Sequence, residues 1–217
     1  MKLLIVSDIH GSSEMLQELL QREKNAQGIL VAGDLTHFGG RKQAAPLVDV
    51  LRSFSVPVAA IHGNCDRASV AELLSEEGLS AERDSLSLLD LPVVGLGGSL
   101  PAPIPTPSTY SEEDAAAVLG TLGNGLDGRE WIFLVHQPPS KSEADRIASG
   151  RHVGSRSVAD FIIKHRPSLV CTGHIHESFS VSRFADSLLV NPGSLKDGRY
   201  AVAELGPEEV TAELLRI

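Results

Sequence analysis

The chain has 217 residues, a hydrophobic fraction of 42% and a formal net charge of −9. This length allows one full hydrophobic core, and we expect residues 1–217 to form a single domain. The negative charge argues against binding to duplex nucleic acid or to an anionic membrane. An anionic substrate would therefore need local positive charge, which bound metal ions can supply.

The two cysteines, Cys65 and Cys171, do not form a disulfide framework, and they fit a reducing compartment. The apolar run at residues 3–6 is too short for a signal peptide or a membrane span. We therefore expect a cytoplasmic protein without a membrane partner. The sequence leaves the oligomeric state open.

The first third of the chain alternates apolar runs with segments of helical periodicity. Residues 3–6, 29–32 and 56–61 are continuous apolar runs, which are typical of buried strands. Between them, residues 15–20 and 42–54 place apolar side chains at helical spacing. This order predicts a parallel sheet covered by helices.

The middle of the chain is less regular. Residues 70–74 predict a short helix, and residues 85–89 and 93–96 predict two strands joined by a turn at 90–92. The proline-rich segment 101–107 can be neither helix nor central strand, because proline lacks the amide donor and fixes φ. It is either an exposed loop that crosses near the site or a plain connector.

The second half combines strands and helices around a polar connector at residues 141–150. Its other predicted elements are strands at 131–135, 169–171, 178–184, 188–190, 200–205 and 210–214, and helices at 111–122 and after 152–155. The whole pattern predicts an α/β fold of two packed sheets with helices outside.

Polar side chains recur where the predicted strands end, several of them in turns rich in glycine. They are Asp8, His10, Asp34, Asn64, His136, His174 and His176. Open α/β sheets bind ligands at this edge, and seven ligands exceed the share of one ion once water is counted. Two cations would need an anionic bridge, which an aspartate provides. Oxygen and nitrogen ligands without thiolate suit manganese, iron or zinc.

Five ordered blocks resemble the signature blocks of the calcineurin-like metallophosphoesterases. They are Asp8-Ile9-His10, Gly33-Asp34, Gly63-Asn64, His136 and Gly173-His174-Ile175-His176. Further features resemble the Icc-related branch of that family: Gly33-Asp34-Leu35-Thr36, Gly97-Gly98-Ser99, His152-Val153-Gly154-Ser155, His174-Ile175-His176-Glu177-Ser178 and Asn191-Pro192-Gly193-Ser194. The resemblance implies a four-layer αββα sandwich of two mixed β-sheets flanked by helices.

The resemblance also implies a function and an assignment of ligands. One ion would be held by Asp8, His10 and His176, the other by Asn64, His136 and His174, with Asp34 bridging the two. We expect manganese, with iron, zinc, nickel or magnesium as alternatives. Hydroxide held between the ions would attack the phosphorus of a small phosphorylated substrate, with nucleotides as one class. The candidate catalytic residues are Asp34, Asn64, Cys65, Asp66 and His174.

One departure from the family pattern concerns Cys65. Many members have a histidine there, which protonates the leaving group. A thiol beside two cations could become a thiolate, which is a poor acid, so phosphodiesters with acidic leaving groups are the expected substrates. Alternatively, Cys65 is only a small apolar filler.

Other residues have two interpretations each. Asp66 either orients a neighbouring ligand or caps a turn or helix. His37 and His152 either reach the substrate phosphate or are solvated loop histidines. Arg67 either binds phosphate through its guanidinium or is surface charge.

Two other functions use the same fold. A phosphomonoesterase or nucleotide pyrophosphatase would share the chemistry, and a histidine at position 65 would favour it. A protein-binding scaffold should lose ligands, whereas this chain keeps all seven.

Overall fold

The computed structural model describes residues 1–82, 85–123, 126, 130–207 and 209–217, and these residues form two β-sheets and five α-helices. The strands are β1 (Lys2–Val6), β2 (Gly28–Ala32), β3 (Val58–Ile61), β4 (Leu86–Leu88), β5 (Leu91–Leu96), β6 (Ile132–Val135), β7 (Leu169–Cys171), β8 (Ser180–Phe184), β9 (Ser187–Asn191), β10 (Arg199–Leu205) and β11 (Val210–Arg216). The helices are α1 (Ser13–Arg22), α2 (Arg41–Ser53), α3 (Ala68–Glu76), α4 (Glu112–Leu122) and α5 (Arg156–His165).

Both sheets are mixed. The first has the order β11-β10-β1-β2-β3. Its strands β1, β2 and β3 are parallel, and β10 is antiparallel to both of its neighbours, β1 and β11. The second has the order β4-β5-β6-β7-β9-β8, with four parallel strands between antiparallel edge strands. The prediction of two mixed sheets is confirmed.

Alternation along the strands builds four layers with three apolar cores. In β1, Leu4 and Val6 pack with α1, α2 and α3, whereas Leu3 and Ile5 face the core between the sheets. Side chains of a strand alternate between faces, so one short apolar run supplies both cores. The third core, which includes Phe133, lies between the second sheet and the helices α4 and α5. The expected αββα arrangement is therefore confirmed.

Two local predictions are wrong. The hairpin turn lies at Leu89 and Asp90, not at residues 90–92, and Pro92 belongs to β5. Both turn residues have positive φ, 52° and 69°, which a tight two-residue hairpin of this kind requires. Pro92 is tolerated because pairing of β5 with β6 begins only at Val93.

The segment 141–150 is also more than a polar connector. It contains a 3-10 turn at Glu143–Asp145, and both Ala144 and Asp145 are fully buried. Cys65 and Cys171 are buried, free thiols. Among the residues described, no helix has the length and apolar character needed to cross a bilayer.

Candidate metal centre

The polar residues singled out in the sequence lie at one edge of the two sheets. Asp8, Asp34 and Asn64 follow the carboxyl ends of the parallel neighbours β1, β2 and β3. His136 and His174 follow β6 and β7, which are parallel neighbours in the second sheet. Because parallel strands end at the same edge, residues far apart in the chain come together there.

One group of donor atoms comes from Asp8, His10 and His176. The Nε2 atom of His176 lies 3.0 Å from Asp8 Oδ1. The Nε2 atom of His10 lies 3.4 Å from the same atom of His176 and 3.8 Å from Asp8 Oδ1. His10 Nδ1 faces the Thr36 carbonyl at 3.4 Å, which favours a proton on Nδ1 and a lone pair on Nε2. The three residues predicted for the first ion are therefore close together.

A second group involves His136, Asn64 and Asp34. The Nδ1 atom of His136 donates to the carbonyl of Ala32 at 2.7 Å. Its Nε2 atom lies 2.9 Å from Asn64 Oδ1 and 3.5 Å from Asp34 Oδ1. The other oxygen of Asp34, Oδ2, lies 3.9 Å from Nε2 of His10. Asp34 thus lies between the two groups, at the position of the predicted bridge.

His174 lies beside the second group. Its ring centroid is 5.3 Å from that of His136, and its backbone nitrogen donates to Asp8 Oδ2 at 3.2 Å. Burial and the positive charge of His136 lower the pKa of His174 to about 4, so the ring is neutral near pH 7. Neutral imidazole is the form that binds a metal ion.

The lone pairs and charges of this cluster fit divalent cations. The Nε2 atom of His136 faces two oxygen atoms although Nδ1 already donates, so without a cation the ring must carry a second proton. Burial opposes that charge, but the Asp34 and Asp8 carboxylates and the hydrogen bond to the Ala32 carbonyl together outweigh it and raise the pKa of His136 to about 9. Burial likewise disfavours charge on Asp8 and Asp34, yet the hydrogen bond from His176 and the charge of His136 lower their pKa values. Ionised carboxylates beside convergent imidazoles suit manganese, iron or zinc.

A family model, the calcineurin-like phosphoesterase superfamily domain, matches residues 1–206. The chain belongs to this superfamily. The uncharacterised protein MJ1162 of Methanocaldococcus jannaschii is 32% identical to this phosphoesterase over 200 residues, and the match covers 88% of each chain.

Solved structures share the fold of this phosphoesterase. TT1561 of Thermus thermophilus is similar with a TM-score of 0.77 at 22% identity, over 98% of this chain and 97% of that one. A structure described as a novel archaeal phosphodiesterase is similar with a TM-score of 0.54 at 18% identity, over 99% of this chain and 100% of that one. At these sequence identities, the similarity to the two structures shows a shared fold and nothing further.

Four of the candidate ligands of the phosphoesterase have left-handed backbone conformations. The φ angles are 54° at Asp8, 47° at His10, 51° at Asp34 and 69° at His174. Each such conformation costs about 1–3 kcal/mol in a residue other than glycine. Hydrogen bonds between the loops hold them, for instance from Asp8 N to Gly33 O and from His10 N to Asp34 O, both at 3.0 Å. Four of the ten non-glycine residues with positive φ in the described part of the chain are thus candidate ligands.

Glycine directly precedes three of the candidate ligands, Asp34, Asn64 and His174, and neighbouring loops touch at these glycines. A Cβ atom on Gly63 would overlap the backbone nitrogen and Oδ1 of Asp34. A Cβ atom on Gly173 would overlap Ser7 Oγ and lie 2.7 Å from Asp8 Oδ2. At both positions a side chain would displace a carboxylate of the candidate site.

Asp66 holds two of these loops in place. Its buried carboxylate accepts hydrogen bonds from the backbone nitrogens of Leu35 at 3.0 Å, Thr36 at 2.8 Å and Gly63 at 2.9 Å, and from the Thr36 hydroxyl at 2.7 Å. These contacts tie the loop of Asp34 to the loop of Asn64. Asp66 therefore positions the candidate ligands indirectly, through backbone amides. It caps a turn, as one interpretation of the sequence had it, and thereby orients neighbouring ligands, as the other had it.

Cys65 is buried beside the ligands. Its backbone nitrogen donates to Asp34 Oδ1 at 2.8 Å, and the Nδ2 atom of Asn64 donates to its sulfur at 3.5 Å. The sulfur and donor atoms of His10 and Asp34 lie within 4.8 Å of one another. Burial and the nearby Asp34 carboxylate raise the pKa of the thiol above its usual range. The side chain thus faces the ligand cluster, which a simple apolar filler would not require.

His37 and Arg67 lie on the rim. The exposed His37 ring contacts the His10 ring edge-on, with centroids 5.5 Å apart. The exposed Arg67 donates through Nε to the Phe38 carbonyl at 3.3 Å. His37 therefore lies next to a candidate ligand, whereas the guanidinium of Arg67 is partly engaged by the neighbouring loop.

His152 has a partner that the sequence did not suggest. Its Nδ1 atom lies 2.5 Å from Oδ1 of the buried Asp145. The other oxygen of Asp145 accepts hydrogen bonds from the backbone nitrogens of Lys141 and Gly154, each at 3.0 Å. Asp145 lies in the segment interpreted as a polar connector, and no spacing pattern marks it.

Further positioning residues come from the C-terminal third. Ser194 donates from its hydroxyl to the Asp8 carbonyl at 3.0 Å. Arg199 donates to the His176 carbonyl at 3.0 Å, and its guanidinium lies 3.9 Å from the centroid of the Phe179 ring. The Asn-Pro-Gly-Ser motif could have indicated Ser194, whereas Arg199 has no signal in the sequence.

Proposed function

We propose that this phosphoesterase is a two-metal-ion hydrolase of phosphodiesters, with small phosphorylated molecules such as nucleotides as the substrate class. The observation that carries the proposal is the position of the Asp34 carboxylate between two adjacent donor groups. Asp8, His10 and His176 form one group within 4.8 Å, and Asp8, Asp34 and His136 form another. Asp34 Oδ1 lies 3.5 Å from His136 Nε2 in the second group, and Asp34 Oδ2 lies 3.9 Å from His10 Nε2 in the first. A bridged arrangement of this kind suits two ions about 3.5–4 Å apart.

In this proposal the residues of the chain have distinct tasks. Asp8, His10 and His176 hold one ion, Asn64, His136 and His174 hold the other, and Asp34 contacts both. When bound, the ions would lower the pKa of a water molecule and neutralise phosphate oxygens. The protein fixes the ligands through backbone contacts, so little reorganisation is needed when substrate arrives.

The preference for diesters rests on position 65. The thiol of Cys65 is buried and interacts with Asp34, so it is poorly placed to donate a proton outward. A substrate whose leaving group is already acidic depends less on a donor at position 65. The fold shared with an archaeal phosphodiesterase agrees with this preference.

The test compares bis(p-nitrophenyl) phosphate with p-nitrophenyl phosphate. Metal-stripped protein is refilled with Mn²⁺, and metal content is measured alongside turnover. We expect metal-dependent hydrolysis of the diester and much slower hydrolysis of the monoester. A protein that binds two ions and hydrolyses neither compound would contradict the proposal and favour a binding scaffold.

A further inference from the structure

The proposed hydrolysis leaves one proton donor unassigned. When water attacks phosphorus, the bond to the leaving oxygen breaks and its electron pair stays on that oxygen. The alkoxide of a sugar or alkyl diester leaves slowly unless it receives a proton. Cys65 lies inside the ligand cluster beside Asp34, so a donor on another element is the alternative to it.

His152 and Asp145 form a hydrogen-bonded pair of the kind that supplies protons. Asp145 is fully buried, and its Oδ1 lies 2.5 Å from Nδ1 of His152. The backbone amides of Lys141 and Gly154 fix the other carboxylate oxygen. With Nδ1 donating to a fixed carboxylate, the second ring nitrogen, Nε2, points away from it and can carry the transferable proton.

The pair lies between two loops that carry candidate ligands. On one side, Gln137, which directly follows a ligand at the end of β6, donates to the Val153 carbonyl at 3.1 Å. On the other side, Ala148 N donates to Glu177 Oε1 at 3.2 Å, in the turn that begins at His176. The 3-10 turns at 143–145 and 176–178 pack against each other. The pair is thus attached to the edge of the sheets where the ligands converge.

The ring of His152 is exposed to solvent. The exposed fraction of its side chain is 36%, so a substrate can approach it, whereas its partner Asp145 is inaccessible. Among the residues that the structure describes, none makes a hydrogen bond to Nε2 of His152. His37 is also exposed at the rim, but no carboxylate in the described part of the chain orients its ring.

We propose that His152, oriented by Asp145, is the general acid that protonates the leaving oxygen of the diester. This inference rests on the proposed hydrolase function. Nε2 of the protonated ring gives its proton to the leaving oxygen as the bond to phosphorus breaks. The ring, now neutral, regains a proton from solvent, which balances the proton lost by the attacking water. The product alcohol leaves uncharged.

The experiment uses methyl aryl phosphodiesters whose leaving phenols range from p-nitrophenol to unsubstituted phenol. The variant His152→Asn keeps an amide that can donate to Asp145, so the loop keeps its anchor while the proton donor is lost. We expect turnover of the phenyl ester to fall by about 100-fold or more, and turnover of the p-nitrophenyl ester to change little. The dependence of rate on leaving-group acidity therefore becomes steeper.

Two further variants separate the explanations. In His152→Ala, added imidazole should restore turnover of the phenyl ester more than that of the p-nitrophenyl ester. His37→Asn is the matched substitution at the other rim histidine. In this variant the dependence of rate on the acidity of the leaving phenol should be the same as in wild type. An equal loss on all esters in His152→Asn, or no loss on any, would overturn the role of His152. If the Mn²⁺-loaded wild type hydrolyses no diester, the hydrolase function itself fails.

Discussion

The Nε2 atoms of His10 and His176 lie 3.4 Å apart, although 166 residues separate the two histidines in the chain. Both atoms also face Oδ1 of Asp8, at 3.8 Å and 3.0 Å. Without a cation, one ring must donate a proton into this space while the other accepts it. A divalent cation would satisfy both lone pairs and the carboxylate together. The arrangement predicts that metal binding stabilises the fold.

The first prediction concerns metal removal. Protein stripped with a chelator should unfold at a lower temperature than protein refilled with Mn²⁺. At a free Mn²⁺ concentration of 100 times Kd, one site contributes about 2.7 kcal/mol. For a chain of this size this corresponds to roughly 5–10 °C in Tm. Calorimetry over a range of Mn²⁺ concentrations measures the shift, and His176→Asn should reduce it. A Tm independent of Mn²⁺ would argue against this site.

The second prediction concerns the proposed bridge. Asp34→Asn retains an oxygen that can accept from Cys65 N but removes the negative charge between the two groups. We expect metal-dependent diester turnover to fall at least about 100-fold, with loss of bound metal. Elemental analysis of purified protein measures the metal content. Full occupancy and full activity would refute the bridging role.

Asp66→Asn is the matched control for that variant. It also replaces a buried carboxylate by an amide, but the Asp66 carboxylate contacts backbone amides and the Thr36 hydroxyl. It should lower the free energy of unfolding by about 1–3 kcal/mol, because buried amides lose a charged acceptor. Metal content measured well below its Tm should fall less than in Asp34→Asn, because Asp66 contacts the loops that carry the ligands and not the ions themselves.

The third prediction concerns position 65. Cys65→His places an imidazole beside Asn64 and should raise monoester hydrolysis relative to diester hydrolysis. The ratio of turnover on p-nitrophenyl phosphate to that on its bis ester measures the effect. Cys65→Ala controls for loss of the thiol and should leave the ratio near that of wild type. An unchanged ratio in the histidine variant would show that Cys65 does not set the preference.

The layers of the fold could be predicted from the sequence, because apolar runs mark the buried strands and their order along the chain indicates which layers they form. β1 supplies Leu3, Leu4, Ile5 and Val6, and alternation alone assigns these side chains to two cores. The hairpin turn was misplaced because proline at residue 92 indicated a turn. The positive φ at Leu89 and Asp90 depends on the register of the strands and leaves little trace in residue types.

The candidate ligands could be found from the sequence, but the residues that hold functional side chains in position could not. Blocks such as Gly63-Asn64 repeat a local pattern, so one sequence suffices to notice them. Asp145 lies among ordinary polar residues, and only the fold shows that it is buried against His152. Likewise, Arg199 reaches the His176 carbonyl from another strand, which no local spacing indicates.

The last prediction tests the close approach at Gly173. In Gly173→Ala the new Cβ atom would overlap Ser7 Oγ and lie 2.7 Å from Asp8 Oδ2, so the Asp8 carboxylate must shift. Because Asp8 belongs to the first donor group, we expect metal affinity to fall about 10–100-fold. Overpacking should also destabilise the fold by about 1–3 kcal/mol.

Gly120→Ala is its matched control. Gly120 lies on an exposed face of α4, and a Cβ atom there would meet nothing within 4 Å. Alanine should therefore stabilise the helix by about 0.5–1 kcal/mol and leave metal affinity unchanged. Titration of both variants with Mn²⁺, followed by Tm, separates the two effects. Equal affinities of Gly173→Ala and Gly120→Ala for Mn²⁺ would contradict the prediction that a Cβ atom at position 173 displaces the Asp8 carboxylate.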